Sequence, residues 1–337
     1  MSAVGVRLER GRAAFLWACG LDVAVRKPGN VSIASPGHAM QAAQFLASAR
    51  AAADPLFAGG RPVGERIEAA VAATRAAVGC NTNLGIVLLC APLAAALERL
   101  PDDPPDAASA DRPAAGECEP AALRAAVRGV LADLDVDDAR AAYRAIALAN
   151  PGGLGRAPSQ DVAAPPDVDL RAAMALAAGR DSIARQFAAD YADIFDDGLA
   201  ALGAAQGRLA GAVQVLFLSF LAGWPDSHIV RKLGADVAQT VTAAAAAWRK
   251  RLFVGDPGAG EAAAFARWDE DLKAAGINPG TSADLTVCTL FVAALSRPGV
   301  IGMAPDENWH GSCIQQIGIG AFPMAEISRS LHTGRTR

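Results

Sequence analysis

Aromatic residues make up only 5% of the 337 residues, and β-branched runs are scarce while alanine dominates. That balance disfavours strands and favours helices. No Lys/Arg-rich tract or basic stripe occurs, the formal net charge is −4 and the isoelectric point is about 5.6. Nucleic acid is therefore not expected as the main partner. No apolar stretch reaches the roughly 20 residues a spanning helix needs, so no membrane partner is expected either. The segment Met1 to Arg12 has no apolar region followed by a cleavage site, and a cytoplasmic location is expected. The six cysteines, Cys19, Cys80, Cys90, Cys118, Cys288 and Cys313, form no C-x-x-C pair and no metal-finger spacing. They read as small buried hydrophobes in a reducing compartment. The Walker loop, the dinucleotide fingerprint, G-x-S-x-G and H-E-x-x-H are also missing.

What the chain has is hydrophobic mass: 52% hydrophobic residues and a mean hydropathy of +0.23, ample for a sizeable core. The length exceeds that of a usual single-core domain, yet one large all-α domain is the expectation. We expect it to span 1–298, with Pro-bearing mobile loops near 101–120 and 156–169 and a loosely packed tail over 299–337. Three segments, 84–95, 209–223 and 286–295, are apolar on every side and belong in the interior.

The first of them follows a polar turn bounded by glycines, Gly79-Cys80-Asn81-Thr82-Asn83-Leu84-Gly85. Asn and Thr in that position cap a helix, and the free N–H groups there also suit an anion. Lys27 lies in a Lys-Pro-Gly-Asn turn that reads either as a phosphate loop or as a solvated turn. His38 reads as an acid, a base or an anion donor, or simply as a helix-start cap. The glycines after Asn150-Pro151 permit close backbone approach to a ligand or merely stop a helix. Asp190, Asp193 and Asp197 fall at i, i+3 and i+7 of a helix expected over 170–202. Oxygen ligands on one face suit Mg²⁺; a solvated acidic face is the alternative. After 209–223, Asp226 and Ser227 are cap candidates, and His228, Arg231 and Lys232 gather positive charge one turn on. A second glycine-bearing polar turn, Gly280-Thr281-Ser282-Ala283-Asp284, opens onto the last apolar helix, with Asp284 in its first turn.

Five of these turns, in order, resemble the triphosphoribosyl-dephospho-CoA synthase family. They are Lys27-Pro28-Gly29-Asn30-Val31-Ser32, Gly37-His38 with Phe45-Leu46-Ala47-Ser48, Asn81-Thr82-Asn83-Leu84-Gly85, Pro225-Asp226-Ser227-His228 with Arg231, and Gly280-Thr281-Ser282-Ala283-Asp284-Leu285. The resemblance implies an all-helical cytoplasmic transferase. Such an enzyme takes ATP and 3′-dephospho-CoA, expels adenine and joins the triphosphoribosyl group to the acceptor ribose. Two turns depart from the citrate-lyase branch. Asn30-Val31-Ser32 stands where that branch has an Asp-Arg pair, and Asn81-Thr82-Asn83-Leu84-Gly85 stands for Asn-Thr-His-Lys-Gly. Both forms are similar to an archaeal and methylotroph branch linked to tetrahydromethanopterin, which changes the expected acceptor and not the fold.

Under this resemblance, Lys27, His38 and Arg231 contact phosphate, and Asn81, Thr82 and Asn83 hold sugar or phosphate. Asn30, Ser32, His228, Thr281 and Ser282 complete the ATP site, and Asp190, Asp193 and Asp197 hold Mg²⁺. Asp284 is the carboxylate opposite the ribosyl centre or the acceptor base, with His38 the second catalytic candidate. Partners are small molecules, and the reading is compatible with a homodimer. The rival readings are a Mg-dependent ribosyl hydrolase and a non-catalytic nucleotide-binding protein.

Overall fold

The computed structural model describes residues 2–101, 118–157, 159–205, 208–252 and 258–297. Among them there is no strand, only two isolated bridges, Ser32 with Ser35 and Gly37 with Met40. The first half runs α1 (Ala3–Ala24), α2 (Ala42–Leu56), α3 (Val63–Val78), α4 (Leu84–Arg99), α5 (Pro120–Ala132) and α6 (Val136–Ala149). Then come α7 (Leu170–Ala177), α8 (Ser182–Ala188), a π-helical turn (Asp193–Gly198) and α9 (Leu199–Ala204). The chain ends in α10 (Leu209–Gly223), α11 (Ser227–Leu233), α12 (Ala235–Leu252), α13 (Ala259–Ala274) and α14 (Gly280–Ser296). The all-α expectation is met among the described residues. The expected 299–337 tail and nearly all of the 101–120 loop lie outside them.

The three segments without a polar face became α4, α10 and α14, and α4 and α14 are buried along almost their whole length. Helices without a polar side gain most by being surrounded, and α14 touches α1, α4 and α10. Phe15, Phe57 and Phe291 meet at the centre with ring centroids 5.9 to 6.4 Å apart in tilted and edge-on pairs. A smaller core joins α10 to α11, α12 and α13 through Phe217, Leu221, Ile229 and Phe265.

Two local expectations are corrected. The helix over 170–202 is broken: Asp190 and Tyr191 have φ of 51° and 58°, which ends α8, and the chain resumes as the π-helical turn. The i, i+3, i+7 face of an α-helix therefore does not exist there. At the other end, α14 starts at Gly280, so Thr281 and Ser282 are helical and Asp284 lies beyond the first turn.

Candidate active site

The helices enclose a cavity of about 620 Å³ whose wall includes both Asn81 and Asp284, far apart in sequence. Its floor is the start of α4. Asn81 Oδ1 accepts from the Leu84 N–H at 3.2 Å. Thr82 Oγ1 donates to Ser48 Oγ at 2.5 Å, and Ser48 passes its own proton to the Gln44 carbonyl at 2.7 Å. Asn83 is 5% exposed, and its Nδ2 has no partner. Next along α4 is Gly85, where a Cβ would sit 2.1 Å from Asp284 Oδ2 and 2.6 Å from Ile183 Cδ1. Only a residue without a side chain lets α4 cross α14 with that carboxyl between them.

Asp284 opens partly onto the cavity but is otherwise enclosed by protein. Burial pushes its carboxyl well above the usual range, and the charges of Asp22, Asp226 and Asp181 push the same way against the weaker pull of Arg231. Asp226 is fully buried, and burial raises its carboxyl too, although four hydrogen bonds oppose this. Its Oδ2 accepts from Ser282 N–H at 2.7 Å and Ser282 Oγ at 2.8 Å, while Oδ1 accepts from His228 and Ile229 N–H. One side chain thus caps α11 and fixes the start of α14 beside it.

That junction delivers the basic groups. Arg231 donates from Nη1 to Asp181 Oδ2 at 2.9 Å, leaving Nε buried without a partner. His228 packs so close to α14 that a Cβ on Gly280 would lie 2.7 Å from its Nδ1. Burial, with Lys232, Arg231 and His38 nearby, lowers His228 to about 3. It is neutral in the physiological range, and its Nε2 has no partner. His38 sits in a left-handed pair with Ala39, φ 54° and 59°, and its Nε2 donates to the Gly29 carbonyl at 2.8 Å. The turn carrying Asn30 is pinned to α13, since Asp269 Oδ1 accepts from the Gly29 N–H at 2.9 Å and Asp269 Oδ2 binds Arg26 at 2.8 Å. Asn30 Nδ2 donates to Asn278 at 3.2 Å, and its Oδ1 is uncommitted.

Of the residues singled out from sequence, Asp284, His38, Asn30, Asn81, Thr82, Asn83, His228, Arg231 and Thr281 line this one cavity. The others do not. Lys27 is fully buried, and its Nζ lies 3.0 Å from Asp22 Oδ1 and also donates to the Asp22 carbonyl. It is the internal counterion of Asp22 and does not reach a phosphate. Ser32 is 1% exposed and stands off the wall, and Ser282 is committed to Asp226. Asp190 is held by Arg171 at 2.6 Å and Arg128 at 3.3 Å, and Asp193 by Arg185 at 2.7 Å and by Gln186. With Asp197 they lie away from the cavity, and no group of three His, Cys, Asp or Glu able to hold a metal occurs among the described residues. The expected Mg²⁺ ligand set does not fit: two of its carboxylates are already neutralised by arginines.

Sequence reasoning missed Asp22, Arg75 and Arg180, all on the wall. Asp22 carried a signal, a lone charge in the apolar run Phe15 to Val23. The two arginines carried none, being ordinary charges on ordinary helices.

Against known proteins, the CitG family model, ATP:dephospho-CoA triphosphoribosyl transferase, matches residues 9–301. The fold is similar to the crystal structure of an Archaeoglobus fulgidus protein described as a triphosphoribosyl-dephospho-CoA synthase, with a TM-score of 0.55 and 24% identity. That likeness covers 75% of this chain and 99% of the other, and carries the fold alone. None of the curated proteins compared with the chain matches it.

Proposed function

The chain belongs to the ATP:dephospho-CoA triphosphoribosyl transferase family, and we propose that this cavity is where ATP and the acceptor meet. The enzyme is a transferase that moves the triphosphoribosyl group of ATP. One observation carries the assignment of the site. Asn30 Oδ1, Asn83 Nδ2, His228 Nε2 and Arg231 Nε come from three separate segments, the last two from α11, all lack a partner, and all belong to residues on the same wall. Each orphaned buried group costs about 1–3 kcal/mol unless a ligand or water satisfies it.

The chemistry distributes itself over that wall. Arg231, Lys232, Arg75 and Arg180 supply the positive charge that the Asn81 turn lacks, and they take the triphosphate. Asn81, Asn83, Asn30 and Thr281 offer uncharged donors and acceptors to the ribose. His38, with one ring nitrogen uncommitted, contacts phosphate or a sugar hydroxyl. Breaking the bond between ribose and adenine leaves positive character on the anomeric carbon and electrons on adenine. Asp284, whose carboxyl burial and acidic neighbours hold well above the usual range, donates a proton to the departing ring. This assigns it the acid's part, where sequence suggested an ionised carboxylate. Mg²⁺ accompanies the triphosphate as its counterion in this reading, and no step is routed through it. The cytoplasm is the proposed location.

A second reading concerns the acceptor alone. Leu84 is 9% exposed in the Asn81–Gly85 turn, which resembles the branch linked to tetrahydromethanopterin, and in this reading the transfer is a (phospho)ribosyl transfer in the biosynthesis of that cofactor. Mass spectrometry of the products from labelled ATP with each acceptor tests both readings. Adenine released in step with a dephospho-CoA adduct heavier by one triphosphoribosyl group is the expected result. Adenine released without an adduct would mean hydrolysis, and ATP binding without adenine release would mean a non-catalytic protein.

A further inference from the structure

Asp22 is the only charged residue between Ala13 and Ala24 of α1, it is 4% exposed, and it lines the cavity. Behind it, Lys27 Nζ lies 3.0 Å from Oδ1, with the lysine side chain wholly buried. A buried ion pair is weak evidence of stabilisation by itself, because desolvating both charges offsets their attraction. This one differs from a structural pair in its placement: the cation is sealed in the protein, and the anion forms part of a cavity wall. On that wall stand Asn30 and Asn83, 4% and 5% exposed, with Oδ1 and Nδ2 uncommitted, a pair of groups suited to a hydroxylated ligand beside the carboxylate.

We propose that Asp22 is a further catalytic residue, the base that takes the proton of the acceptor hydroxyl, and that Lys27 is the positioning residue that holds it in place from behind. This rests on reading the cavity as the ATP and acceptor site. In the step, the bond from the anomeric carbon to adenine breaks and its electron pair leaves with the ring, which takes the Asp284 proton. The acceptor oxygen bonds the same carbon, and its proton passes to Asp22. The two carboxyls have then exchanged protonation states, and exchange with solvent resets them. Until the proton arrives, the Asp22 charge also faces the positive character at the anomeric carbon, the part first expected of Asp284.

The division of labour follows from the surroundings. Asp22 has an ammonium in contact, whereas Asp284 makes no ion pair among the described residues and feels three carboxylates. A carboxylate in contact with an ammonium and a buried carboxyl with no such partner supply one acceptor and one donor. The groups facing this pair are Cys19 on α1, Lys27 in the following turn, Cys90 on α4, Asp181 ahead of α8, and Asp226 and Arg231 at α11. Burial raises both thiols, so neither serves as an anionic acceptor there.

The test uses the full chain with ATP and dephospho-CoA, reading adenine release, transfer product and ATP affinity. Asp22→Asn is made alone and together with Lys27→Met, so that no uncompensated cation is left buried. The expected result for the folded double variant is transfer slowed by about a hundredfold or more, with ATP affinity within about twofold. Lys27→Met alone should lower kcat by about tenfold or more with the KM for ATP little changed, a split that a purely structural lysine would not produce. Retention of transfer within about tenfold in the double variant, or an unchanged kcat in Lys27→Met, overturns the proposal. Absence of adenine release from the unmodified protein would instead defeat the reading of the cavity itself.

Discussion

Asp284→Asn separates a catalytic acid from a helix-borne carboxyl by moving activity and stability in opposite directions. The amide keeps the size of the group in the gap beside Gly85, where a carboxyl oxygen lies 2.1 Å from the position a Cβ would take. What it removes is an ionisable group that burial, Asp22, Asp226 and Asp181 hold well above the usual range. A carboxyl raised in the folded state binds its proton more tightly there than in the unfolded chain, whose value is about 3.9. Native stability is thus fully present below that value, falls as pH rises towards the folded pKa, and stays reduced above it. Each unit of the shift corresponds to about 1.4 kcal/mol. The asparagine variant escapes this loss, so its melting temperature should match the parent in acid and exceed it increasingly as pH rises. A gap of at least about 2 °C near pH 8 is expected, since 1 kcal/mol moves Tm by roughly 2–4 °C in domains of moderate size. Turnover should fall by about 10²–10⁴-fold, the usual worth of a positioned proton donor, with ATP affinity little changed. Adenine release, thermal melts from about pH 5 to 9 and calorimetric titration with ATP give the three readouts. A variant with more than about a tenth of normal turnover, or with no melting gap that widens with pH, would refute this account of Asp284.

Gly85→Ala should destabilise by about 1–3 kcal/mol in urea unfolding and suppress adenine release, because the methyl meets Asp284 and Ile183. Alanine ordinarily stabilises a helix over glycine by about 0.5–1 kcal/mol, so a more stable variant would refute the crossing described here. Asp193→Ala should lower stability by about 1–3 kcal/mol by stranding Arg185 and Gln186, and leave ATP affinity unchanged at limiting Mg²⁺. Weakened ATP binding in that variant would return Asp193 to the site. His228, lowered to about 3, resists protonation in the fold more than in the unfolded chain. It therefore costs stability as pH falls from about 6.5 towards about 3, and His228→Gln should resist acid better than the parent in equilibrium unfolding. The same variant should raise the KM for ATP by about tenfold, one hydrogen bond's worth, without shifting the pH profile of kcat. A neutral-pH limb that disappears in His228→Gln would contradict the neutral imidazole.

The sequence by itself determined the interior. Segments such as 84–95 and 286–295 have no polar face, so any fold of this chain surrounds them with other helices, and α4 and α14 are buried accordingly. It also placed Asn81, Arg231 and His228 at helix ends, where unpaired backbone groups and short polar side chains collect, while Asp284 fell one turn further into α14 than the sequence suggested. Tertiary structure decided which of those ends meet and what each charge faces. Lys27 reads as a phosphate ligand from its glycine turn, yet the chain folds back after α1 and seats it against Asp22. Asp190, Asp193 and Asp197 form a face only if the helix is regular, and two left-handed residues followed by a π-helical turn remove that face. Arg75 and Arg180 became part of the wall through packing between helices distant in sequence. The physical reason is common to all three cases. Periodicity and caps are properties of a few neighbouring residues, whereas a charge acquires its partner, its burial and its proton from segments that only the packed core brings beside it.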